Sequence, residues 1–234
     1  NDERGNLFYS IIDVIKKMNN MPKALVLENV KNLRTHDKGE TSREINKQLE
    51  DLGYSRIWHI YNTSNYTDIP QNRERTVIVC FKGEKDHGLF KDELCSGYFD
   101  ANKELMKSVK KRPISDFLEE EVDDKYYYSE KSSFFKELQD SVNDMNSVYQ
   151  WRRKYMRKNK SNECPTLTAN MGMGGHNVPI ILDKKGYRKL TPLECFRFQG
   201  NSDIAFPVKL SESSLYKQAG NSVTVDLFEK IALL

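Results

Sequence analysis

The chain has 234 residues, room for one large domain or two smaller ones. Its 37 Lys+Arg nearly balance 34 Asp+Glu, a net charge of +3, which excludes an acidic tail or a generally basic, membrane-adhering composition; any basic patch must be local. Hydrophobic residues make up 38% of the chain while mean hydropathy is −0.73, so a core is possible beneath a very polar surface. No apolar run approaches the roughly 18–20 residues of a membrane span, and no signal-peptide pattern opens the chain. Cys80, Cys95, Cys164 and Cys195 are scattered without CxxC spacing. That pattern disfavours a metal site and a disulfide framework, and it predicts a cytoplasmic protein with free thiols.

Leu7, Ile11, Val14, Ile15 and Met18 recur at helical spacing until Asn19-Asn20 and Pro22 stop the pattern. The run Ala24–Val30 then reads as a strand buried on both faces of a parallel sheet. It delivers Glu28 and Asn29 at or near the strand's carboxyl end, where open α/β sheets place their ligands. Taken alone, a solvated glutamate at a strand end explains the same residues. Thr41 and Glu44 form a capping-box pattern ahead of an apolar stripe of Ile45, Leu49 and Leu52, with Gly53 as terminator. Arg56–Tyr61 and Thr76–Phe81 read as two further strands, separated by a polar loop over 62–75.

From about Gly83 to Lys185 the pattern turns irregular, with helical stretches near Asn102–Lys111 and Ser129–Met145 and a loop or short edge at Asp123–Tyr128. Trp151–Lys160 carries six basic residues with two aromatics interleaved, and glycines cluster over Met171–Gly175. Thr191-Pro-Leu-Glu194 is a second capping box with proline at the first helical position, opening a helix through Phe198 that Gly200 ends. Helices are expected at Ser211–Gln218 and Val223–Leu234, on either side of Gly220-Asn-Ser222.

Four segments carry the chemistry: Glu28-Asn-Val30, Pro70-Gln-Asn-Arg-Glu-Arg75, Arg188-Lys-Leu-Thr-Pro-Leu-Glu-Cys-Phe-Arg-Phe-Gln-Gly200 and Tyr216-Lys-Gln-Ala-Gly-Asn-Ser-Val223. In this order and spacing they resemble the motifs of the cytosine carbon-5 DNA methyltransferases. The resemblance covers nearly the whole chain, with only about 85–145 matching loosely. It implies an α/β fold: the carboxyl-side part of a Rossmann-like methyltransferase sheet, joined to a smaller, irregular target recognition domain. The expected divisions are 1–84 for the catalytic part, 85–187 for the recognition domain and 188–234 for its end and the return to the catalytic domain.

The residue types suit that reaction. Carbon 5 of cytosine is a poor nucleophile; in the family a cysteine thiolate adds to carbon 6, and negative charge develops in the ring. A carboxyl group that hydrogen-bonds or protonates ring nitrogen 3 stabilises this charge, and the resemblance gives that role to Glu28. It places Arg75 at the ring carbonyl oxygen and Arg73 near the flipped nucleotide. Asn221, Ser222 and Val223 are similar to the family's segment for S-adenosylmethionine, read here as a turn offering donors to a carboxylate at a helix amino terminus.

The target base must leave the duplex first. The basic run suits phosphates, and arginines suit guanine edges. Pro165–Ala169 resembles the segment closing the recognition domain, with Thr166 as a phosphate contact. Gln150 and Arg153, by position before it, are expected to fill the vacated stack and touch bases, and Asn29 is expected to lie near the DNA. The implied partners are double-stranded DNA and S-adenosylmethionine, in a restriction–modification system.

The family's nucleophile lies in a Pro-Cys motif. None of the four cysteines follows a proline, and Asn1–Phe8 resembles the sequence just after that motif. The expectation is therefore a chain inactive by itself, whose nucleophile and Gly-rich cofactor loop come from an amino-terminal portion or partner subunit. Gln199-Gly200 also departs from the usual Gln-Gly-Phe-Pro-Asp by running into Asn201–Ala205. A non-catalytic DNA-binding specificity module and an RNA cytosine methyltransferase are the competing readings.

Overall fold

The computed structural model describes residues 6–83, 109–152, 154–173, 177–207 and 209–233. The chain divides into two compact units, Asn1–Tyr61 with Glu74–Glu104, and Asn62–Arg73 with Leu105–Leu234. The loop carrying Gln71 and Arg73 thus belongs to the second unit, although Arg75 belongs to the first. Among the described residues no helix is long and apolar enough to cross a membrane.

In the first unit, α1 (Asn6–Lys17) leads to β1 (Ala24–Val30), a 3-10 segment (Lys31–Gly39), α2 (Glu40–Asp51) and β2 (Tyr54–Asn62). The chain then passes through α3 (Thr63–Tyr66) and β3 (Gln71–Asn72) of the second unit and returns as β4 (Glu74–Lys82). The sheet order is β1-β4-β2, and β1 pairs antiparallel with β4, from Ala24 opposite Phe81 to Val30 opposite Arg75.

Two expectations change here. The pairing is antiparallel, and β1 is an end strand among the described residues, with Val26 42% and Val30 56% exposed. Only its Leu25 and Leu27 face packs against the core of Ile12, Ile15, Ile45, Leu49, Tyr54 and Ile78. Side chains alternate across a strand, so an apolar run covered on one side leaves every second residue in solvent. Helix α1 shows the same division: Ile12 and Ile15 are buried, whereas Leu7, Val14 and Met18, which the spacing aligned with Ile15, are exposed. Helix α2 buries Ile45 and Leu49 as expected, each contributing about 1.5–3 kcal/mol. Its amino terminus is Gly39 in the left-handed region rather than a capping box, because Thr41 Oγ1 pairs with His36 Nδ1 at 2.7 Å.

The second unit continues through 3-10 turns at Ile114–Phe117 and Asp124–Tyr126 to α4 (Phe135–Ser141), β5 (Tyr149–Arg152), β6 (Tyr155–Lys158), β7 (Cys164–Pro165), β8 (Ile180–Leu182) and β9 (Tyr187–Lys189). Helices α5 (Pro192–Arg197), α6 (Glu212–Asn221) and α7 (Val225–Leu233) complete it. The helix expected over Ser129–Met145 shortens to α4. Val142 turns extended, and Asp144 Oδ1 then accepts from Asn146 N at 2.9 Å to build a turn. The helix expected near Asn102–Lys111 lies outside the described residues as far as 108. The stretch that lacked periodicity holds a four-stranded sheet, β6-β5-β8-β9, whose strands are only three or four residues long. Strands this short cannot show a convincing alternation in sequence. The Thr191 capping box forms as expected.

Candidate active-site pair and nucleic-acid cleft

Glu28 and Arg75 are diagonal neighbours across β1 and β4, since Glu28 lies opposite Val77 and Val30 opposite Arg75. Such neighbours are within reach of long side chains, and Arg75 Nε meets Glu28 Oε1 at 2.9 Å. Both side chains are partly open, 15% for Arg75 and 24% for Glu28. A second guanidinium nitrogen, Nη1, donates to Glu74 O at 2.9 Å. Burial draws the Arg75 pKa down from its ordinary value while Glu28 pushes it back up, and the group stays a cation. Glu28 and Asn29 also line a groove of about 590 Å³ with Leu7, Tyr9, Ile11 and Val26. Asn29 is exposed and caps its neighbour, Val30 N donating to its Oδ1 at 2.8 Å.

Arg73 is a different kind of arginine. It is 2% exposed, and its guanidinium donates to Leu167 O at 2.8 Å, Gly220 O at 3.2 Å and Ser222 O at 2.6 Å. This guanidinium is a buried tie joining three backbone segments of the second unit, whereas the motif resemblance set it near a flipped nucleotide. Gly220 reinforces the junction, because a Cβ there would lie 2.2 Å from Thr168 C and 2.3 Å from Thr168 O.

Gly220 and Asn221 end α6, and Ser222 is its carboxyl-terminal cap, so the expected helix amino terminus begins only at α7. Ser222 directs both N–H and Oγ to Gln218 O, each at 2.9 Å. The donors expected from Ser222 are thus turned inward, and Asn221 and Val223 are the exposed residues of the turn. An outward amide beside an apolar side chain fits a ligand with a carboxylate next to an apolar stem.

The second unit also holds an open cleft of about 700 Å³. Gln150, Arg152, Arg157 and Lys160 line one part of it, and Asn72 and Thr166 another. Thr166 Oγ1 donates to Asn72 O at 2.7 Å. A hydroxyl has one proton, so Thr166 offers none to a phosphate in this arrangement, and the basic side chains are the available donors. Arg153 lies outside the described residues. Trp151 turns away from the polar face and stacks on Phe134 with ring centroids 5.0 Å apart. Sequence reading had not singled out Asn72 or Arg157; polar residues at every second position, Gln150 and Arg152, were the available signal.

The family model for C-5 cytosine-specific DNA methylases matches residues 1–233. The chain belongs to this family. It is 44% identical over 232 residues to the type II methyltransferase M.Bsp6I of Bacillus sp. (strain RFL6), covering 99% of this chain and 70% of that one. It is 33% identical over 242 residues to the type II methyltransferase M.DsaV of Dactylococcopsis salina, covering 99% of this chain and 61% of the relative. The fold is similar to the crystal structure of S. pombe Dnmt2 methyltransferase, with a TM-score of 0.67 and 20% identity over 99% of this chain and 73% of that one.

Other family motifs in this methylase chain are structural in the second unit. Arg188 and Glu194, 1% and 0% exposed, form a bidentate pair at 2.7 and 2.8 Å. Asp183 Oδ2 accepts from Arg188 Nε at 2.6 Å, and Glu194 also accepts from Thr191 N and Glu119 N. Burial opposes the Arg188 charge, but the Glu194 and Asp183 carboxylates outweigh it and hold the pKa above its ordinary value. The methylase chain's three described cysteines offer no thiolate. Burial pushes Cys80 up to about 12, and Cys164 and Cys195, fully enclosed, well above the usual range. Among the described residues no cluster of His, Cys, Asp or Glu could hold a metal ion.

Proposed function

We propose that this chain supplies the base-facing acid and the target-reading region of a DNA cytosine carbon-5 methyltransferase of a restriction–modification system. The observation that carries the reading is the Glu28–Arg75 pair, 2.9 Å apart and partly open to solvent. Two groups of opposite charge on one face of a sheet suit the two polar edges of a pyrimidine. Glu28 hydrogen-bonds or protonates ring nitrogen 3 as charge develops, and Arg75 donates to the adjacent carbonyl oxygen. The attacking thiolate comes from a cysteine outside the described residues, since Cys80, Cys164 and Cys195 are all buried and protonated.

S-adenosylmethionine, when bound, supplies the methyl group. Asn221 and Val223 would hold it, while Ser222 and Arg73 fix the turn that carries them. Arg73 acts as a positioning residue. The region from 85 to 187 reads double-stranded DNA, with Gln150 and the basic side chains of the cleft meeting the duplex, and Asn29 lies beside the base-facing acid.

The test is methyl transfer by the full-length protein carrying Glu28→Gln, with far-UV circular dichroism and thermal melting as folding controls. Loss of a positioned general acid predicts a fall of about 10²–10⁴-fold in kcat with the fold intact. Unchanged transfer would remove Glu28 from the mechanism, and a folded wild-type protein that binds DNA without transferring a methyl group would favour a DNA-binding module without chemistry.

A further inference from the structure

The β5–β6 hairpin pairs Gln150 directly with Arg157 and Arg152 with Tyr155. Because strand side chains alternate, these residues share one face, while Tyr149 and Met156 point to the core of Leu138, Val142 and Ile180. On the outer face one atom is contested. Gln150 Oε1 accepts from Arg152 Nη2 at 3.3 Å and also from Arg157 Nη2. Arg157 Nη2 has a further contact with Asn159 Oδ1 at 3.3 Å.

The orientation of the Gln150 amide is chemically forced. A guanidinium carries only donors, so the atom between two of them must be the oxygen, and the NH₂ faces away. Both lone pairs of that oxygen then have partners. Glutamine reads adenine in a duplex through two bonds, donating to N7 and accepting from the N6 amino group. A Gln150 whose oxygen is engaged lacks the second of these. Its NH₂ still has two protons, and guanine presents two acceptors side by side, N7 and O6. The unused N–H groups of Arg152 and Arg157 are donors as well.

We propose that this hairpin is a donor-only reader of guanine, in which Arg152 and Arg157 position the Gln150 amide. The inference rests on the chain being a DNA-reading methyltransferase and adds the base class that one part of its cleft selects. Cytosine and adenine each present an amino donor in the major groove, which a donor-only cluster repels.

The test uses the full-length protein and a pool of randomised duplexes, with methylated sites read by bisulfite sequencing. Besides the partner of the target cytosine, the wild-type site should contain a guanine whose replacement by adenine lowers methylation about 10- to 100-fold, the range of one good bidentate contact. Gln150→Glu keeps an acceptor for both arginines but has no donor, and should abolish that preference. Arg157→Ala frees the oxygen and should admit adenine at the same position. Lys160→Ala, an exposed cation lining the cleft, should lower methylation evenly over all sequences and reduce the salt dependence.

A wild-type site that selects no guanine beyond the partner of the target cytosine, or an unchanged preference in both Gln150→Glu and Arg157→Ala, overturns the assignment. So does an Arg157→Ala protein that behaves like Lys160→Ala. A folded wild-type protein that methylates no DNA instead overturns the underlying function, and this reading with it.

Discussion

Arg73 and Arg75 stand two residues apart in one motif, yet each shows the character of the unit it belongs to. In the second unit Arg73 is buried and holds three backbone carbonyls. In the first, Arg75 meets a single half-open carboxylate. Two of the arginine–glutamate pairs repeat the contrast: Arg188–Glu194 is bidentate and sealed, whereas Glu28–Arg75 is partly open beside a groove. A buried guanidinium committed to several backbone carbonyls fixes structure. One whose only carboxylate partner among the described residues is partly exposed can exchange it for a substrate at small cost, because partly solvated ion pairs contribute little to stability.

Substitutions can break this contrast, beginning with the largest expected change. Glu194→Ala strands the buried Arg188 charge and should destabilise the protein by about 3–5 kcal/mol, measured as a loss in denaturant-unfolding free energy. An unfolding midpoint equal to that of the wild type would mean that Arg188 is not committed to Glu194. Arg73→Ala leaves three carbonyls without their donor and should cost about 2–4 kcal/mol. Arg75→Ala should change stability by less than about 1 kcal/mol while lowering methyl transfer far more than Arg73→Ala lowers it per folded molecule. If both arginine variants lost stability equally, the distinction between strut and substrate ligand would fail.

The smallest effect sharpens the picture of the hairpin's anchorage. Hydrogen bonds from Lys158, Ser147 and Asn146 N hold the Asp144 carboxyl at about 2, below its value in an unfolded chain of about 3.9. A depressed folded-state pKa means that this stability is fully present above about pH 4 and is lost as pH falls towards 2. Asp144→Asn should therefore flatten the acid limb of a stability-against-pH curve and leave its slope near neutrality unchanged.

Long periodic elements were legible in the chain. Ala24–Val30 is a strand with the expected bounds, and Thr191 with Glu194 caps a helix. Both signals are local: an apolar run, or a cap and its partner three residues on. The antiparallel partner of β1 was not legible, because pairing joins residues some fifty positions apart through hydrogen bonds that leave no local pattern. The exposed side of α1 was missed for a related reason. A helix apolar on more than one face does not announce which one the core takes.

The amino-acid sequence by itself determined the order of the motifs, the identity of the charged groups and the absence of any proline-preceded cysteine within these residues. Only the tertiary structure decided what each charge does. The motif resemblance set both Arg73 and Arg75 close to the flipped base. The carbonyls of Leu167, Gly220 and Ser222, which surround one and not the other, made Arg73 a strut. Side-chain chemistry is written residue by residue, whereas burial and the direction of each donor depend on backbone brought in from far along the chain.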